Sequence, residues 1–429
     1  MNVAIIGAGA TGLAAAYDLC RAGHRVVVFE AKPAPGGLAG GFREPNWDWS
    51  LEYFYHHWFA TDKDILRLAD EVGVRDKVIF KRPLTVSYHN GAFYPLDSPQ
   101  AVLRFPGLSP IAKIRFGLAV AYLKFVTNDW RRLECFTAHN WCLRWMGREA
   151  YRAVWQPLLE GKFGDLYDRV NMAWLWARIK ARTPSLGTFE GGFQAFFDVL
   201  AARVQALGGE IRYNTPVAAL RTEENRWRVI VPGEPCWFDR VLVTSSPRAL
   251  TRLVPQLPER YTQRLNALVS LGAVMVIFAL DRPLSPKGYY WHNLPKRAGF
   301  PFLALCEHTN FAEARHFGGQ HLIYCGDYLP PTHPYFSMSA AELRALFEPA
   351  LKRVNPAFDT SWVQRVWVFR EVYAQPVPFV NHSRCIPPLQ TPLSGLLFAS
   401  MSQVYPWDRG TNYAVRLGRE AAKAMLCAH

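Results

Sequence analysis

The chain has 429 residues, more than one hydrophobic core usually encloses, so two domains are expected. Half of its residues are hydrophobic and 20% are charged, which excludes a disordered tail, a coiled coil and a collagen-like repeat. The formal net charge of +14 favours anionic partners without choosing among phosphorylated ligands, nucleic acid and acidic membranes.

The eight cysteines form no C-x-x-C pair and no zinc-ligand spacing, so we expect reduced thiols and no metal site. The first residues lack the basic start and cleavage site of a signal peptide. No stretch reaches the ~18 apolar residues of a membrane span. These features predict a cytoplasmic protein, and association with the inner face of the membrane stays open.

The first thirty residues predict a complete β-α-β unit. A short apolar run at residues 3–6 is typical of a buried parallel strand, and a helical pattern follows at residues 13–22. A second apolar strand at residues 25–29 ends at Glu30. Between the first strand and the helix lies the G-x-G-x-x-G sequence of residues 7–12, which is typical of a dinucleotide-binding turn.

Each glycine of this turn pattern has a physical role. Gly7 permits the tight turn, Gly9 lets the backbone approach a pyrophosphate, and Gly12 lets the helix lie close to the strands. The free N–H groups at the start of the helix then face the phosphates. Glu30 follows Gly12 at the spacing expected of a carboxylate that accepts the ribose hydroxyls, and its negative charge disfavours NADP.

Residues 30–41 read EAKPAPGGLAGG, which resembles the extension of this turn in the flavin amine oxidase superfamily. Members of that superfamily include protoporphyrinogen oxidases, phytoene-type desaturases and monoamine oxidases, and UDP-galactopyranose mutases are relatives. The resemblance implies FAD as the cofactor. The residues expected to hold it are Gly7, Gly9, Ala10, Thr11, Gly12, Glu30, Ala31, Lys32, Gly36, Gly37, Leu38, Ala39, Val217, Met401, Gly410, Thr411 and Asn412.

The resemblance continues in scattered blocks and implies an α/β fold. The implied fold has a Rossmann-type FAD-binding domain that is similar to that of glutathione reductase and is discontinuous in sequence. An α+β substrate domain is inserted into it. We assign residues 1–80, 187–250 and 385–429 to the first and residues 81–186 and 251–384 to the second, with 81–186 mostly helical. In relatives the residue that matches Val217 offers its backbone to the adenine. The carboxylate that relatives carry near Met401 is missing here.

Three residues are candidates for catalysis. His56 and His57 lie in a segment that resembles the H-x-F-x-T-D sequence of galactopyranose mutases, which passes near the flavin ring. These histidines either contact the flavin and shuttle a proton, since imidazole titrates near neutral pH, or are packed and bonded to backbone. Tyr373 lies in a block resembling a loop that approaches the flavin, where Tyr373 or Arg370 lines the cavity.

Other segments allow two interpretations. Thr61 and Asp62 are expected to cap a helix at residues 63–72. Residues 103–126 form either an ordinary helix with its apolar face in the core, which base rates favour, or a surface helix resting on anionic lipid. Lys162, Arg178 and Arg182 suit a phosphorylated ligand, although solvated charge is the more common outcome.

The favoured function is an FAD-dependent oxidoreductase that transfers a hydride between flavin and a bulky, mainly apolar molecule of isoprenoid or tetrapyrrole type. One alternative is a mutase that uses reduced FAD on a sugar nucleotide. Another is a flavin-free lipid carrier resembling Rab GDP-dissociation inhibitors. The expected partner is a small molecule, lipophilic or phosphorylated, and no nucleic acid. The substrate, electron acceptor and oligomeric state stay open.

Overall fold

The computed structural model describes residues 1–427 and has the mixed α/β architecture that the sequence predicts. The strands are β1 (Asn2–Ile6), β2 (Arg25–Phe29), β3 (Gly41–Phe42), β4 (Leu51–Glu52), β5 (Trp58–Phe59), β6 (Val78–Lys81), β7 (Leu84–His89), β8 (Ala92–Pro95), β9 (Leu186–Phe189), β10 (Glu210–Arg212), β11 (Ala219–Glu223), β12 (Arg226–Ile230), β13 (Cys236–Phe238), β14 (Arg240–Val243), β15 (Ser270–Leu280), β16 (Tyr289–Asn293), β17 (Ala304–Glu307), β18 (His321–Leu329), β19 (Val363–Pro376) and β20 (Leu396–Phe398). The α-helices are α1 (Ala10–Arg21), α2 (Lys63–Glu71), α3 (Pro99–Arg104), α4 (Pro110–Ala121), α5 (Trp130–Leu133), α6 (Ala138–Trp145), α7 (Arg148–Ala150), α8 (Gln156–Phe163), α9 (Met172–Ala181), α10 (Phe193–Ala206), α11 (Pro247–Leu253), α12 (Glu259–Asn266), α13 (Ala340–Val354) and α14 (Thr411–Cys427).

Five parallel strands form one sheet in the order β10-β2-β1-β14-β20. Their apolar side chains pack on one face against α1, α10 and α14, and on the other against α11 and α12. Helix α14 packs so closely on α1 that a Cβ atom at Gly418 would be 2.2 Å from the carbonyl oxygen of Thr11. The carboxyl end of β1 leads straight into α1, so this edge of the sheet faces the start of the helix.

Seven strands form a second sheet in the order β19-β15-β18-β17-β16-β7-β8. All neighbours are antiparallel except β16 and β7, which are parallel. Residues 81–186 are mostly helical, as expected, but they begin with a hairpin of β7 and β8 that the sequence analysis did not predict. Asn90 and Gly91 join these strands with φ angles of 47° and 87°, the left-handed conformation that two-residue hairpin turns require.

One predicted domain boundary disagrees with the packing. The boundary at residue 250 falls inside α11, and both α11 and α12 bury apolar side chains in the core of the parallel sheet. Leu250 and Leu265 are fully buried there. A chain segment belongs with the core that it helps to enclose, so this boundary moves to the loop that precedes β15.

Residues 110–126 form what we call the surface segment: α4 followed by the π-helix Tyr122–Val126. Its inner face packs in the core through Ala112, Phe116 and Leu123. This inner face agrees with the interpretation as an ordinary helix with its apolar face in the core. The outer face is also apolar and lies in solvent, which that interpretation does not explain. The exposed residues at helical spacing are Ile111 (79% exposed), Ile114 (65%), Leu118 (69%), Tyr122 (45%) and Phe125 (77%). In the described part of the chain, no helix is both long and apolar enough to cross a membrane.

Candidate active site

A cavity of about 370 Å³ lies at the carboxyl end of the parallel sheet, where β1 leads into α1. We call it the glycine-floored cavity, because five glycines contribute to its wall. The predicted cofactor residues that line it are Gly7, Gly9, Ala10, Thr11, Glu30, Lys32, Gly36, Gly37, Leu38, Ala39, Met401, Gly410 and Thr411. The structure thus brings together residues from both ends of the chain.

The loop after β1 is held by hydrogen bonds to its backbone groups, and these bonds leave the start of α1 open. Glu30 accepts hydrogen bonds from the backbone N–H groups of Ala8 (2.7 Å) and Lys32 (2.9 Å). The Gly36 N–H donates to the carbonyl of Ala8 at 2.9 Å, which lays the second glycine pair against the first turn. N–H groups in the first turn of a helix have no partners within that helix, so this wall fits the pyrophosphate of a dinucleotide.

Four predicted cofactor residues do not line this cavity. Gly12 lies beneath it, where a Cβ atom would be 1.9 Å from the carbonyl oxygen of Gly7, so its role is close helix packing. Ala31 is exposed, and Val217 packs against the core of the parallel sheet. Asn412 lines a neighbouring cavity instead.

Asn412 also caps α2, a role that the sequence assigned to Thr61 and Asp62. Its side-chain carbonyl accepts from the N–H groups of Asp64 (2.9 Å) and Ile65 (3.1 Å). The Asp62 carboxylate accepts a hydrogen bond from the Phe59 N–H, and the Thr61 hydroxyl donates one to the carbonyl of Ala181. The predicted local cap is therefore wrong, because a residue from the far end of the chain supplies it.

Several cavity residues were not predicted from the sequence. They are Thr244, Ser245, Ser246, Ala249, Glu371, Val372, Arg409 and Ala414. The serines were recognisable as the end of β14, and ligands of parallel sheets bind at the carboxyl ends of the strands. Glu371, Val372, Arg409 and Ala414 lie close in sequence to the predicted residues Tyr373 and Gly410, so the resemblance indicated their segments but not the individual side chains.

His56 lies where the cavities meet. Its Nδ1 atom is 2.6 Å from the carbonyl oxygen of Phe54, and since a carbonyl only accepts, Nδ1 carries the proton. Burial lowers the pKa of His56 to about 4, so the ring is neutral at pH 7. The neutral ring presents Nε2 as an acceptor. Proton shuttling by titration near neutral pH, as expected from the sequence, does not fit this pKa.

His57 has a different environment from its neighbour. Its Nε2 contacts the hydroxyl of Tyr290, and its ring packs edge-on against the rings of Tyr290 and Phe311. Burial, with His56 and His308 nearby, lowers the pKa of His57 to about 3. His57 lines only the neighbouring cavity, so the packed, hydrogen-bonded interpretation describes it better than contact with a flavin.

Tyr373 lines the glycine-floored cavity, but its hydroxyl is already engaged. It lies within hydrogen-bond distance of the hydroxyls of Ser400 (2.7 Å) and Ser402 (2.5 Å), just beyond β20. These contacts fix the ring as a wall of the cavity. Arg370 points away, because its guanidinium donates to the carbonyls of Tyr335 and Met338.

A second cavity of about 260 Å³ adjoins the first. We call it the arginine-lined cavity. It shares His56, Arg409, Gly410 and Thr411 with the glycine-floored cavity. Its apolar wall consists of Phe59, Leu158, Ala177, Ala181, Leu186, Trp291 and Leu303, and its charged residues are Asp62, Lys162, Arg178, Arg182, Asp408 and Arg409.

Asp408 is the centre of the charged group. Its Oδ2 atom is 2.9 Å from Lys162 Nζ and 2.6 Å from Arg178, and its Oδ1 accepts from the Trp174 indole. Burial alone would raise the pKa of Asp408, but Lys162, Arg178 and Arg409 hold it well below its usual range. Burial lowers the pKa of Lys162 to about 7, although Asp408 opposes this shift. The interpretation of Lys162 and Arg178 as solvated charges is therefore wrong.

Comparison with known proteins identifies similar chains over the full length. The family described as flavin containing amine oxidoreductase matches residues 10–426. The probable zeta-carotene desaturase of Synechococcus elongatus is 22% identical over 485 residues, covering 99% of this chain and 98% of the desaturase.

Two solved structures are similar to this fold. A provisionally assigned protoporphyrinogen oxidase from Exiguobacterium sp. 255-15 has a TM-score of 0.78 at 17% identity, over 99% of this chain and 98% of that one. A reduced UDP-galactopyranose mutase has a TM-score of 0.76 at 14% identity, over 99% and 95% of the two chains.

Proposed function

Because this chain belongs to the flavin-containing amine oxidoreductase family and is an FAD-dependent oxidoreductase, we propose that it transfers a hydride between FAD and a bulky, mainly apolar small molecule. The observation that carries this proposal is the junction of the two cavities. FAD binds in the glycine-floored cavity and the substrate in the arginine-lined one, so the two meet at His56 and Arg409. Isoprenoids and tetrapyrroles are the substrate types we favour.

We interpret the five-stranded sheet as the core of a Rossmann-type FAD-binding domain. The start of α1 receives the pyrophosphate, and Glu30 accepts the ribose hydroxyls. Met401, Gly410 and Thr411 cover the opposite side of the cofactor. The seven-stranded sheet, with helices α3 to α9, then forms the substrate domain, and its residues bring the reacting carbon to the junction.

Bound FAD supplies the hydride acceptor or donor. The chain itself orients the substrate and excludes water, through walls such as Trp291 and Leu303. His56 holds an unprotonated Nε2 at the junction, where it accepts a hydrogen bond from substrate or cofactor. Tyr373, whose hydroxyl is hydrogen-bonded to Ser400 and Ser402, would form part of the wall that holds FAD.

The surface segment supports a second element of the proposal, which is peripheral contact with the inner face of the membrane. Ile111, Ile114, Leu118 and Phe125 form an apolar stripe, and Lys113 lies beside it. Such a stripe with basic neighbours suits a helix that lies in the interface of an anionic bilayer. A lipophilic substrate would then have a short path from membrane to cavity.

A mutase acting on a sugar nucleotide is the second candidate, because Arg178 and Arg182 line the substrate cavity and suit a diphosphate. A sugar nucleotide would isomerise without net redox change and only on the reduced protein. An oxidoreductase would instead change the oxidation state of the flavin with each turnover.

The first test is the visible spectrum of the purified protein and of Glu30→Gln. We expect flavin absorption that bleaches with anaerobic dithionite. Losing the carboxylate of Glu30 should weaken FAD binding about tenfold or more, since hydrogen bonds to charged groups contribute ~1.5–3 kcal/mol. Glu313→Gln, an acid outside both cavities, is the matched control and should bind FAD normally.

Each outcome separates the candidates. A colourless protein that takes up no FAD would overturn the proposal and favour a flavin-free carrier. Isomerisation of UDP-galactopyranose by the dithionite-reduced protein would establish the mutase.

A further inference from the structure

Resting on the proposed function, we propose that the guanidinium of Arg409 lies beside the flavin ring and stabilises the negative charge that FAD carries once it is reduced. Two electrons and one proton convert the neutral oxidised ring into an anion, and a second proton would make the ring neutral again. A fixed cation near the ring keeps this second proton off. Charge placed near the ring nitrogens is one of the means by which a protein tunes a flavin.

The position of Arg409 suits the ring of FAD rather than its pyrophosphate. Arg409 lines both the glycine-floored and the arginine-lined cavity, and the proposed function places the reacting ring where the two meet. The pyrophosphate would lie at the start of α1, where Gly418 packs against Thr11. Helix α14 begins at Thr411, about two turns before Gly418, which corresponds to roughly 10 Å along the axis. Arg409 lies just beyond that end of the helix.

Two buried side chains without charge hold this guanidinium in place. Its Nε donates to Gln375 Oε1 at 2.9 Å, and one terminal nitrogen donates to the hydroxyl of Tyr328. Gln375 lies on β19 and is 1% exposed, and Tyr328 lies on β18 and is 9% exposed. The seven-stranded sheet therefore fixes the direction of the guanidinium, and neither contact cancels its charge.

The acids near Arg409 are bound to other groups, and none forms a salt bridge with it within residues 1–427. Asp408 is adjacent in sequence, and its carboxylate pairs with Lys162 and Arg178. Glu371 lines the glycine-floored cavity, and its carboxylate accepts a backbone N–H at 3.3 Å. A negative charge that develops on the ring would thus meet a guanidinium that no carboxylate holds directly.

The charge of Arg409 acts on the junction of the cavities. Burial is the main cause of the lowered pKa of His56, and the positive charge of Arg409 contributes to it. Because His56 is neutral, Arg409 is the cation at the junction. Opposite charges attract more strongly in such a partly enclosed site than in bulk water, so reduction of FAD becomes more favourable there.

The experiment measures the midpoint potential of the FAD-loaded protein against a reference dye, after the visible spectrum has shown that FAD is bound. We expect Arg409→Gln to make reduction of the flavin at least about tenfold less favourable, a fall of ~30 mV for a two-electron couple. Arg409→Lys keeps the charge and should keep most of the potential. Arg315→Gln removes an exposed arginine that lines neither cavity, and this matched control should leave the potential unchanged.

A second measurement needs no variant. The potential of the unsubstituted protein is followed at mildly acid pH, where free flavin takes up two protons with two electrons. Beside Arg409 the flavin should take up one proton. The equilibrium constant of reduction then changes about tenfold per pH unit, instead of about a hundredfold.

The outcomes are distinct. Failure of the unsubstituted protein to bind FAD would overturn the proposed function before any potential is measured. An unchanged potential in FAD-loaded Arg409→Gln would overturn the inference alone, and so would the uptake of two protons by the unsubstituted protein. An equal fall in Arg409→Gln and Arg409→Lys would also overturn it, because the effect would then come from packing and not from charge.

Discussion

His56 shows how one hydrogen bond decides what a side chain can do. The carbonyl of Phe54 fixes the proton on Nδ1, and burial lowers the pKa of the ring to about 4. The charged form is therefore absent at neutral pH, and Nε2 remains an acceptor. A residue that the sequence suggested as a proton shuttle becomes a fixed hydrogen-bond acceptor at the cavity junction.

We predict that the imidazole of His56 stays neutral, as the Nδ1–H tautomer, down to a pH of about 5, one unit above the pKa of about 4. Ring 15N chemical shifts of histidine-labelled protein measure both properties, and the signal lost in His56→Asn identifies the residue. Because histidines of the unfolded chain titrate near 6.5, protonation of His56 favours the unfolded chain progressively as the pH falls from about 6.5 to about 4. A titration midpoint near 6.5 in the folded protein would contradict the prediction.

Asn412 is the second residue whose role depends on a distant partner. Asn412→Ala removes both hydrogen bonds that cap α2, so the free energy of unfolding should fall by ~1–2 kcal/mol. Thermal or denaturant unfolding measures this loss. Thr61→Ala is the matched control, because Thr61 contacts Ala181 rather than the helix start. An equal loss in both variants would show that Asn412 is not the cap.

At the scale of elements, the surface segment is the feature with the clearest consequence. An α-helix normally turns its apolar face to the core, but here both faces are apolar and only one is covered. Exposed contiguous apolar surface marks a site of interaction. The basic composition of the chain makes anionic lipid a suitable partner.

We predict that the protein co-sediments with vesicles containing phosphatidylglycerol and that the double variant Ile114→Glu, Leu118→Glu does not. Burying an isoleucine or leucine contributes ~1.5–3 kcal/mol, so the loss should exceed about tenfold. Leu346→Glu changes an exposed leucine on α13 and should leave binding intact. Retained binding by the double variant would place the contact on another surface.

Elements with a strong local pattern were predictable from the sequence. The strand, glycine turn and helix at the start of the chain follow from apolar runs and the spacing of the glycines. The hairpin of β7 and β8 was missed although Asn90 and Gly91 signalled it, because residues 81–186 were interpreted as mostly helical. Turn chemistry was the better guide there.

At the scale of the whole molecule, the wall of the glycine-floored cavity next to β1 was predictable and the opposite wall only in part. Residues 7–39 share one local motif, whereas on the opposite wall the resemblance indicated the segments around Tyr373 and Gly410 but not that Glu371 and Arg409 line the cavity. The charged group around Asp408 was missed because its partners Lys162 and Arg178 are more than 200 residues away in sequence. Contacts between residues so far apart in the sequence leave no periodic pattern or characteristic spacing from which they could be predicted.

The contact between α1 and α14 also sets the order in which the site can be made. The ribosome adds ~400 residues between Gly7 and Ala414, which takes roughly 20 to 80 s at about 5–20 residues per second. For that interval the nascent chain has the glycine turn but lacks the wall that Thr411 and Ala414 complete. The glycine-floored cavity is therefore complete only after the chain has been synthesised through the start of α14.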